Sequence, residues 1–306
     1  MTKSEANLHG VFAASLTPMD ESLNVDDDAF ATHCRRLLLD AGCHGLAIFG
    51  TTGEANSLSE KEKVSALESL VEKGIPAEKL LAGTGACSVT ETVRLTRAAI
   101  EAGTAGVLVL PPFYYKDVSD EGIFRYFSEA VERVADERMK LYLYHFPQMT
   151  GGVGFEIPLI ERLIEAYPDT IVGMKDSEGN WARIEEICQT FPGFETFAGT
   201  ERFLLDTLEA GGVGCISATT NLTSRLAREV YELHKDGEKD EARASQKHLT
   251  ELRNTMEGFP AIPALKATMR HLTKEESWRN IRPPLVEMDE ARTKKLLESL
   301  PEGELL

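Results

Sequence analysis

Lys175 closes the apolar run Ile171-Val172-Gly173-Met174 and is followed at once by Asp176. Lysine is almost never buried without a reason. In apolar surroundings an amine loses part of its preference for the ammonium form, and the free amine can attack a carbonyl. The competing reading is a strand-end lysine paired with Asp176 or Glu178, because structural ion pairs perturb lysines too. Tyr144 closes a second run, KLYLYHFP at 140–147, where a phenol can pass protons to and from a bound carbonyl or leaving group. A rim tyrosine making one hydrogen bond is the plainer alternative. The segment Gly50-Thr51-Thr52-Gly53-Glu54 combines two hydroxyls with glycines that leave backbone N–H groups accessible, so Gly50, Thr51 and Thr52 can hold a small anion such as a carboxylate. It lacks the lysine of a P-loop and is no dinucleotide fingerprint; a turn before a helix accounts for it nearly as well. His145 has an ordinary pKa suited to acid–base work. It follows Tyr144 by one residue, however, so an inward Tyr144 turns His145 towards the helix layer, where a hydrogen-bonded structural histidine is expected.

The elements that must position these residues recur along the chain as a short apolar run, a turn with Gly, Pro or Thr, and an amphipathic stretch. The runs are 11–18, 45–53, 80–86, 106–112, 140–147, 170–177, 195–200 and 214–221. Helices with apolar residues at i, i+3, i+4 spacing are expected over 29–39, 60–73, 89–102, 122–135 and 157–167. Ser59 with Glu62 forms a capping box, and Asp120 and Asn180 stand where N-caps belong. Several runs are continuously apolar, as strands covered on both faces should be. The pattern predicts an α/β fold, a (β/α)8 TIM barrel over 1–235, with a doubly wound open sheet as the alternative. Beyond Asn221 strand signals cease. The stretch 222–234 supplies the eighth barrel helix, KDGEKDEA reads as a solvated charged link, and 242–257, 261–272 and 288–300 read as a C-terminal three-helix extension within 236–306.

In such a barrel substrate is met at the C-terminal ends of the strands. Those ends are polar here: Ser15 and Thr17, the 50–54 loop, Tyr114 and Tyr115 after strand four, Tyr144 and His145, Lys175 and Asp176, and Ser217, Thr219 and Asn221.

Bulk properties narrow the function. The 306 residues are 42% hydrophobic and 27% charged, with ample material for a large core. Fifty acidic against 33 basic residues give a formal charge of −17, which offers no footprint for nucleic acid or an anionic membrane. No apolar run reaches the ~20 residues of a membrane span, and MTKSEANLHG lacks the apolar core of a signal peptide, so a cytoplasmic protein is expected. Five scattered cysteines (Cys34, Cys43, Cys87, Cys188, Cys215), with no C-x-x-C pair and no histidine at ligand spacing, read as reduced, mostly buried thiols and no metal site.

Six segments in order carry a resemblance: LTPMD, FGTTGE at 49–54, LPPFYYKDVSDEG at 110–122, LYHFPQMTG at 143–151, GMKDSEGN at 173–180 and GGVGCISATTN at 211–221. Over nearly its full length the chain resembles the dihydrodipicolinate synthase / N-acetylneuraminate lyase superfamily, the class I pyruvate-dependent aldolases. The resemblance implies that Lys175 forms a Schiff base with pyruvate or a pyruvoyl unit and that Tyr144 relays protons. It implies that Thr51 and Thr52 bind the pyruvyl carboxylate, Thr51 joining the hydroxyl network of Tyr144. Tyr114 matches an aromatic that reaches across a subunit interface, and Gly199 and Ile216 match positions lining the pyruvate end of the pocket. A homotetramer built as a dimer of dimers follows from the same likeness. No metal or organic cofactor is implied, since a protonated imine is itself the electron sink.

Departures from the family pattern concern the substrate. Typical dihydrodipicolinate synthases read Y-N-V-P-x-R-T on strand five; here the motif is Tyr144-His145-Phe146-Pro147-Gln148-Met149-Thr150. Met149 cannot pair with a carboxylate as arginine does. Weak or absent condensation with aspartate semialdehyde is therefore expected. The wording of strands four and five is closer to 2-keto-3-deoxy sugar-acid aldolases, which yield pyruvate and an aldehyde, with Gln148, Thr200 and Glu201 as candidate contacts for a hydroxylated substrate. A keto-deoxy-acid dehydratase, the synthase itself and a non-catalytic keto-acid-binding barrel are the alternatives.

Overall fold

The computed structural model describes residues 8–301 and 303–305; residues 1–7, 302 and 306, which the expected barrel and extension include at their outer ends, lie outside the described residues. Eight parallel strands close into a ring in chain order: β1 (Gly10–Ala14), β2 (Gly45–Ile48), β3 (Leu80–Gly83), β4 (Gly106–Val109), β5 (Leu141–His145), β6 (Ile171–Asp176), β7 (Glu195–Ala198) and β8 (Gly214–Ser217). Pairing of β8 with β1, from Gly10↔Gly214 to Ala13↔Ser217, completes the barrel and rules out the open sheet. All strand residues except Gly83 and Val172 are buried, because side chains fill the ring on one face and meet helices on the other.

The surrounding helices are α1 (Asp27–Arg35), α2 (Glu60–Glu72), α3 (Val89–Glu101), α4 (Asp120–Val134), the single turn α5 (Pro147–Thr150), α6 (Ile157–Ala166), α7 (Trp181–Thr190), α8 (Leu204–Glu209) and α9 (Thr220–Asp236). In α4 the buried residues Ile123, Phe127, Ala130 and Val134 form one stripe, as the periodicity predicts. The capping box at Ser59 is present. At α4, however, Ser119 and not Asp120 is the cap, its Oγ accepting from Gly122 N at 3.2 Å. Asp120 and Glu121 occupy the first turn instead, where their charge opposes the partial positive charge of the helix start. Asn180 holds the cap position of α7 without a side-chain cap bond.

The extension comprises α10 (Lys239–Glu257), α11 (Ala261–Thr273) and α12 (Glu290–Ser299). The charged run expected as a solvated link is mostly helix. Gly237, at φ 82, ends α9 in the left-handed conformation a glycine adopts freely, α10 starts at Lys239, and Ala242 within the run is fully buried.

Inside the barrel, Phe12, Leu81, Leu108, Tyr142, Phe197 and Ile216 pack together, with the rings of Phe12 and Phe197 5.4 Å apart edge to face. The N-terminal end is closed by Tyr142, whose hydroxyl donates to the Glu195 carboxylate; that carboxylate also accepts from Leu8 N at 3.1 Å. The opposite end stays free for chemistry. Cys34, Cys43, Cys188 and Cys215 are buried free thiols and Cys87 is exposed. Among the described residues no helix is long and apolar enough to cross a membrane.

Candidate active site

Strands β5 and β6 lie side by side with Tyr144 opposite Lys175 and His145 opposite Asp176. Alternation then sorts the four residues onto two faces. Lys175 and Tyr144, 5% and 3% exposed, meet at the C-terminal mouth of the barrel. The Lys175 ammonium donates to Tyr144 Oη at 3.4 Å and lies 4.5 Å over the tyrosine ring. Thr51 Oγ1 stands 3.3 Å from the same phenol oxygen. Both are long for hydrogen bonds.

His145 and Asp176 face the helix layer. Asp176 receives Arg183 Nε at 2.9 Å, so the carboxylate that could have neutralised Lys175 is turned away from it. Burial pushes the Asp176 carboxyl up to about 6. His145 Nδ1 accepts from Phe155 N at 3.1 Å, and burial, reinforced by the Arg183 charge, pushes its imidazole down to about 3. It is the hydrogen-bonded structural histidine that alternation predicts. Together with Glu178, His145 and Asp176 bring three donor atoms within 4.8 Å of one another. Arg183 lies on Asp176 and 3.8 Å from Glu178, so the cation that these carboxylates hold is the guanidinium.

The 50–54 loop is tied to itself and to strand one. Glu54 N donates to Thr51 O at 3.1 Å, Ala55 N to Gly50 O at 3.2 Å, and Thr17 Oγ1 to Gly53 O at 2.9 Å. Gly199, at the end of β7, has no room for a side chain: a Cβ there would collide with Ser177 Oγ and come within 2.6 Å of the Asp176 carbonyl oxygen.

Thr51, Thr52, Tyr144, Met149, Lys175 and Gly199 converge on one cavity of about 810 Å³, with Gln148 and Thr200 on its wall. Other expected residues lie elsewhere. Gly50 and Ile216 are outside the lining, Ile216 being fully buried inside the barrel. Tyr114 is 73% exposed and stacks edge to face on Tyr115, away from the cavity. Glu201 is not a substrate contact: it is fully buried, accepts from Ser217 Oγ and Thr223 Oγ1, and lies 3.7 Å from Arg253.

The outer half of the cavity comes from a source the sequence did not mark. Arg253 and Glu257 of α10, Ile262 of α11, and Leu285, Val286 and Met288 ahead of α12 close over the mouth, facing Phe146, Arg202 and Phe203. The arginines are already engaged. Arg202 Nη2 meets Glu257 at 2.5 Å and Asn254 Oδ1 at 2.6 Å, and Arg253 donates to Thr219 Oγ1 at 2.5 Å and to Glu257 at 3.1 Å. The i, i+4 spacing of Arg253 and Glu257 was visible; the return of the extension over the barrel was not.

A buried amine, a phenol and a hydroxyl in series, with the 50–54 loop beside them, can capture a keto acid as an imine and move protons around it. Comparison with known proteins shows the family. Residues 7–302 match the model of the dihydrodipicolinate synthetase family. The chain is 34% identical to a DapA-like lyase of Chloroflexus aurantiacus, covering 86% of this chain and 87% of that one. It is 31% identical to a 4-hydroxy-tetrahydrodipicolinate synthase of Methanopyrus kandleri, over 97% and 98% of the two chains. The crystal structure of YagE, a prophage protein of the same family from E. coli K12 in complex with pyruvate, superposes with a TM-score of 0.86 at 26% identity, covering 94% and 96%. With the match running almost end to end and the barrel and strand-end lysine in place, this chain belongs to the dihydrodipicolinate synthetase family and is a lyase.

Proposed function

We propose that the protein is a Schiff-base lyase acting on pyruvate or a 2-keto-3-deoxy acid, cleaving the acid to pyruvate and an aldehyde or joining the two. The observation that carries this reading is the chain from Lys175 Nζ through Tyr144 Oη to Thr51 Oγ1 in a cavity lined by Thr52 and Gly199. Lys175 attacks the C2 carbonyl, and loss of water leaves an iminium. Tyr144, having given its proton to the departing water, takes the proton from the C4 hydroxyl as the C3–C4 bond breaks, and the electron pair enters the iminium to give an enamine. Protonation at C3 and hydrolysis release pyruvate. The iminium is the electron sink throughout, so the proposed steps need no added cofactor.

Met149 offers no charge to a distal carboxylate, and Arg202 and Arg253 are already paired; of the lining guanidiniums among the described residues, exposed Arg292 alone stands outside an ion pair. A hydroxylated tail would meet Thr200 and the free carbonyl of Gln148 on the wall. The synthase reading draws support from the Methanopyrus relative, and the dehydratase would use the same enamine. Tyr114 is free to extend towards a neighbouring copy, in keeping with a proposed dimer of dimers. Incubating the protein with a panel of 2-keto-3-deoxy acids and measuring pyruvate release tests the reading: release that vanishes in K175A is expected. Robust condensation of pyruvate with aspartate semialdehyde, without keto-deoxy-acid cleavage, would establish the synthase instead. Binding of pyruvate with neither activity and no imine would leave the silent barrel.

A further inference from the structure

The barrel alone does not hold the loop that carries Thr51 and Thr52. Glu54, which ends it, has a left-handed backbone (φ 56), a conformation that a non-glycine residue keeps only where its surroundings hold it. Its carboxylate does not line the cavity; it is engaged by the C-terminal extension. Lys266 Nζ of α11 lies 2.5 Å from Glu54 Oε1, and both side chains are fully buried. The same ammonium donates to Asn280 O at 2.8 Å, and Arg282 N donates to Glu54 Oε2 at 3.0 Å. The Arg282 guanidinium then reaches both flanks of the first two strand ends, donating to Leu23 O at 2.8 Å, to Ser57 O at 2.6 Å and to Glu62. Asn280 Nδ2 adds a bond to Met19 O at 2.8 Å.

A buried ion pair is weak evidence for stability, since an apolar pair of similar volume often serves as well; what it fixes is position. This pair sits three residues from Thr51 and two from Thr52. We propose that Lys266 and Arg282, acting through Glu54, are positioning residues that set the Thr51 hydroxyl against Tyr144 and hold Thr52 beside it in the cavity lining, making the C-terminal extension part of the keto-acid carboxylate site. The proposal rests on the imine reading above. None of the three residues touches the substrate; their effect is on how tightly the carboxylate is held.

The test compares wild type, K266M and the double variant E54Q/K266M, which removes both charges and leaves no unpaired buried ion. Thermal melting is measured with the pyruvate dependence of borohydride-trapped adduct. The double variant should melt close to wild type and need about tenfold or more pyruvate for half-saturation, while its trapping rate at saturating pyruvate changes by less than about threefold, the split expected when binding common to the ground and transition states is lost. General destabilisation would lower the amplitude and leave half-saturation alone. A folded double variant with wild-type half-saturation would overturn the proposal. Should neither variant fold, hydrogen exchange on wild type decides: pyruvate should slow exchange in 50–54 and 278–283 together, and protection of 50–54 alone would overturn the coupling. A wild type that binds pyruvate but traps no adduct would instead defeat the imine reading, and this inference with it.

Discussion

Tyr144 stands between the amine of Lys175 and the hydroxyl of Thr51, so its phenol is the group on which the proposed proton relay turns. Y144F keeps the ring over Lys175 and removes only the relay. Turnover should fall about 10²- to 10⁴-fold, the usual worth of a positioned acid–base group, while imine still forms at saturating pyruvate. A steady-state rate beside a trapping assay separates the two. M149R places a guanidinium at an exposed point of the cavity wall and should improve acceptance of carboxylate-tailed aldehydes by about tenfold, measured as the ratio of kcat/KM for charged and uncharged acceptors. Lys175, Tyr144 and the outward turn of His145 were legible because strand alternation is rigid and the polar ends of apolar runs are visible in sequence. Glu201 is the opposite case. It follows β7 as Lys175 ends β6, but a short helical turn at Glu201–Phe203 swings it into a buried hydroxyl cluster, which no local spacing announces.

At the scale of elements, eight strands and the helices between them followed from apolar periodicity, and the differences are instructive. Asp120 and Ser119 are both good caps; the choice fell to Ser119, and the acid one place later adds its charge to the helix start. The capping box at Ser59 carries a measurable load, since S59A removes the acceptor for Glu62 N and should cost about 1 kcal/mol, read as a lower denaturation midpoint with unchanged slope. Gly199 links element geometry to chemistry. In G199A the new methyl must displace Ser177 or the Asp176 carbonyl, which adjoins Lys175. Loss of imine formation greater than the loss of stability is the expected result, measured by trapping and melting on the same preparation.

Over the whole molecule, the extension and the barrel are joined by buried polar groups, and these make stability depend on pH. His33 of α1 is fully buried, hydrogen-bonded to Asn221 at 2.9 Å and packed edge to face on Trp278 of the extension; burial holds its imidazole down at about 4. His145 is held at about 3. Both folded-state values lie below the ordinary 6.5, so their neutral forms stabilise the fold fully above pH 6.5, and that contribution is lost as pH falls towards 4. Each can supply up to about 1.4 kcal/mol per pH unit in that window. Asp176, raised to about 6, opposes them between its ordinary value and pH 6, as do Glu195 and Asp206, whose carboxyls burial also raises, while burial holds His44 down at about 4 and adds it to the histidine side. The melting temperature should therefore drop from pH 6.5 to 4.5, and more shallowly in H33Q. This coupling, like the closure of the cavity by residues beyond 250, depends on contacts between distant parts of the chain and was illegible in any one segment.

The proposed function turns on a covalent imine between Lys175 and a keto acid. Borohydride reduction in the presence of pyruvate, followed by peptide mass mapping, detects it. One reduced pyruvyl group per chain is expected, on Lys175, and none in K175A. An adduct on another lysine, or none while pyruvate is shown to bind, would contradict it.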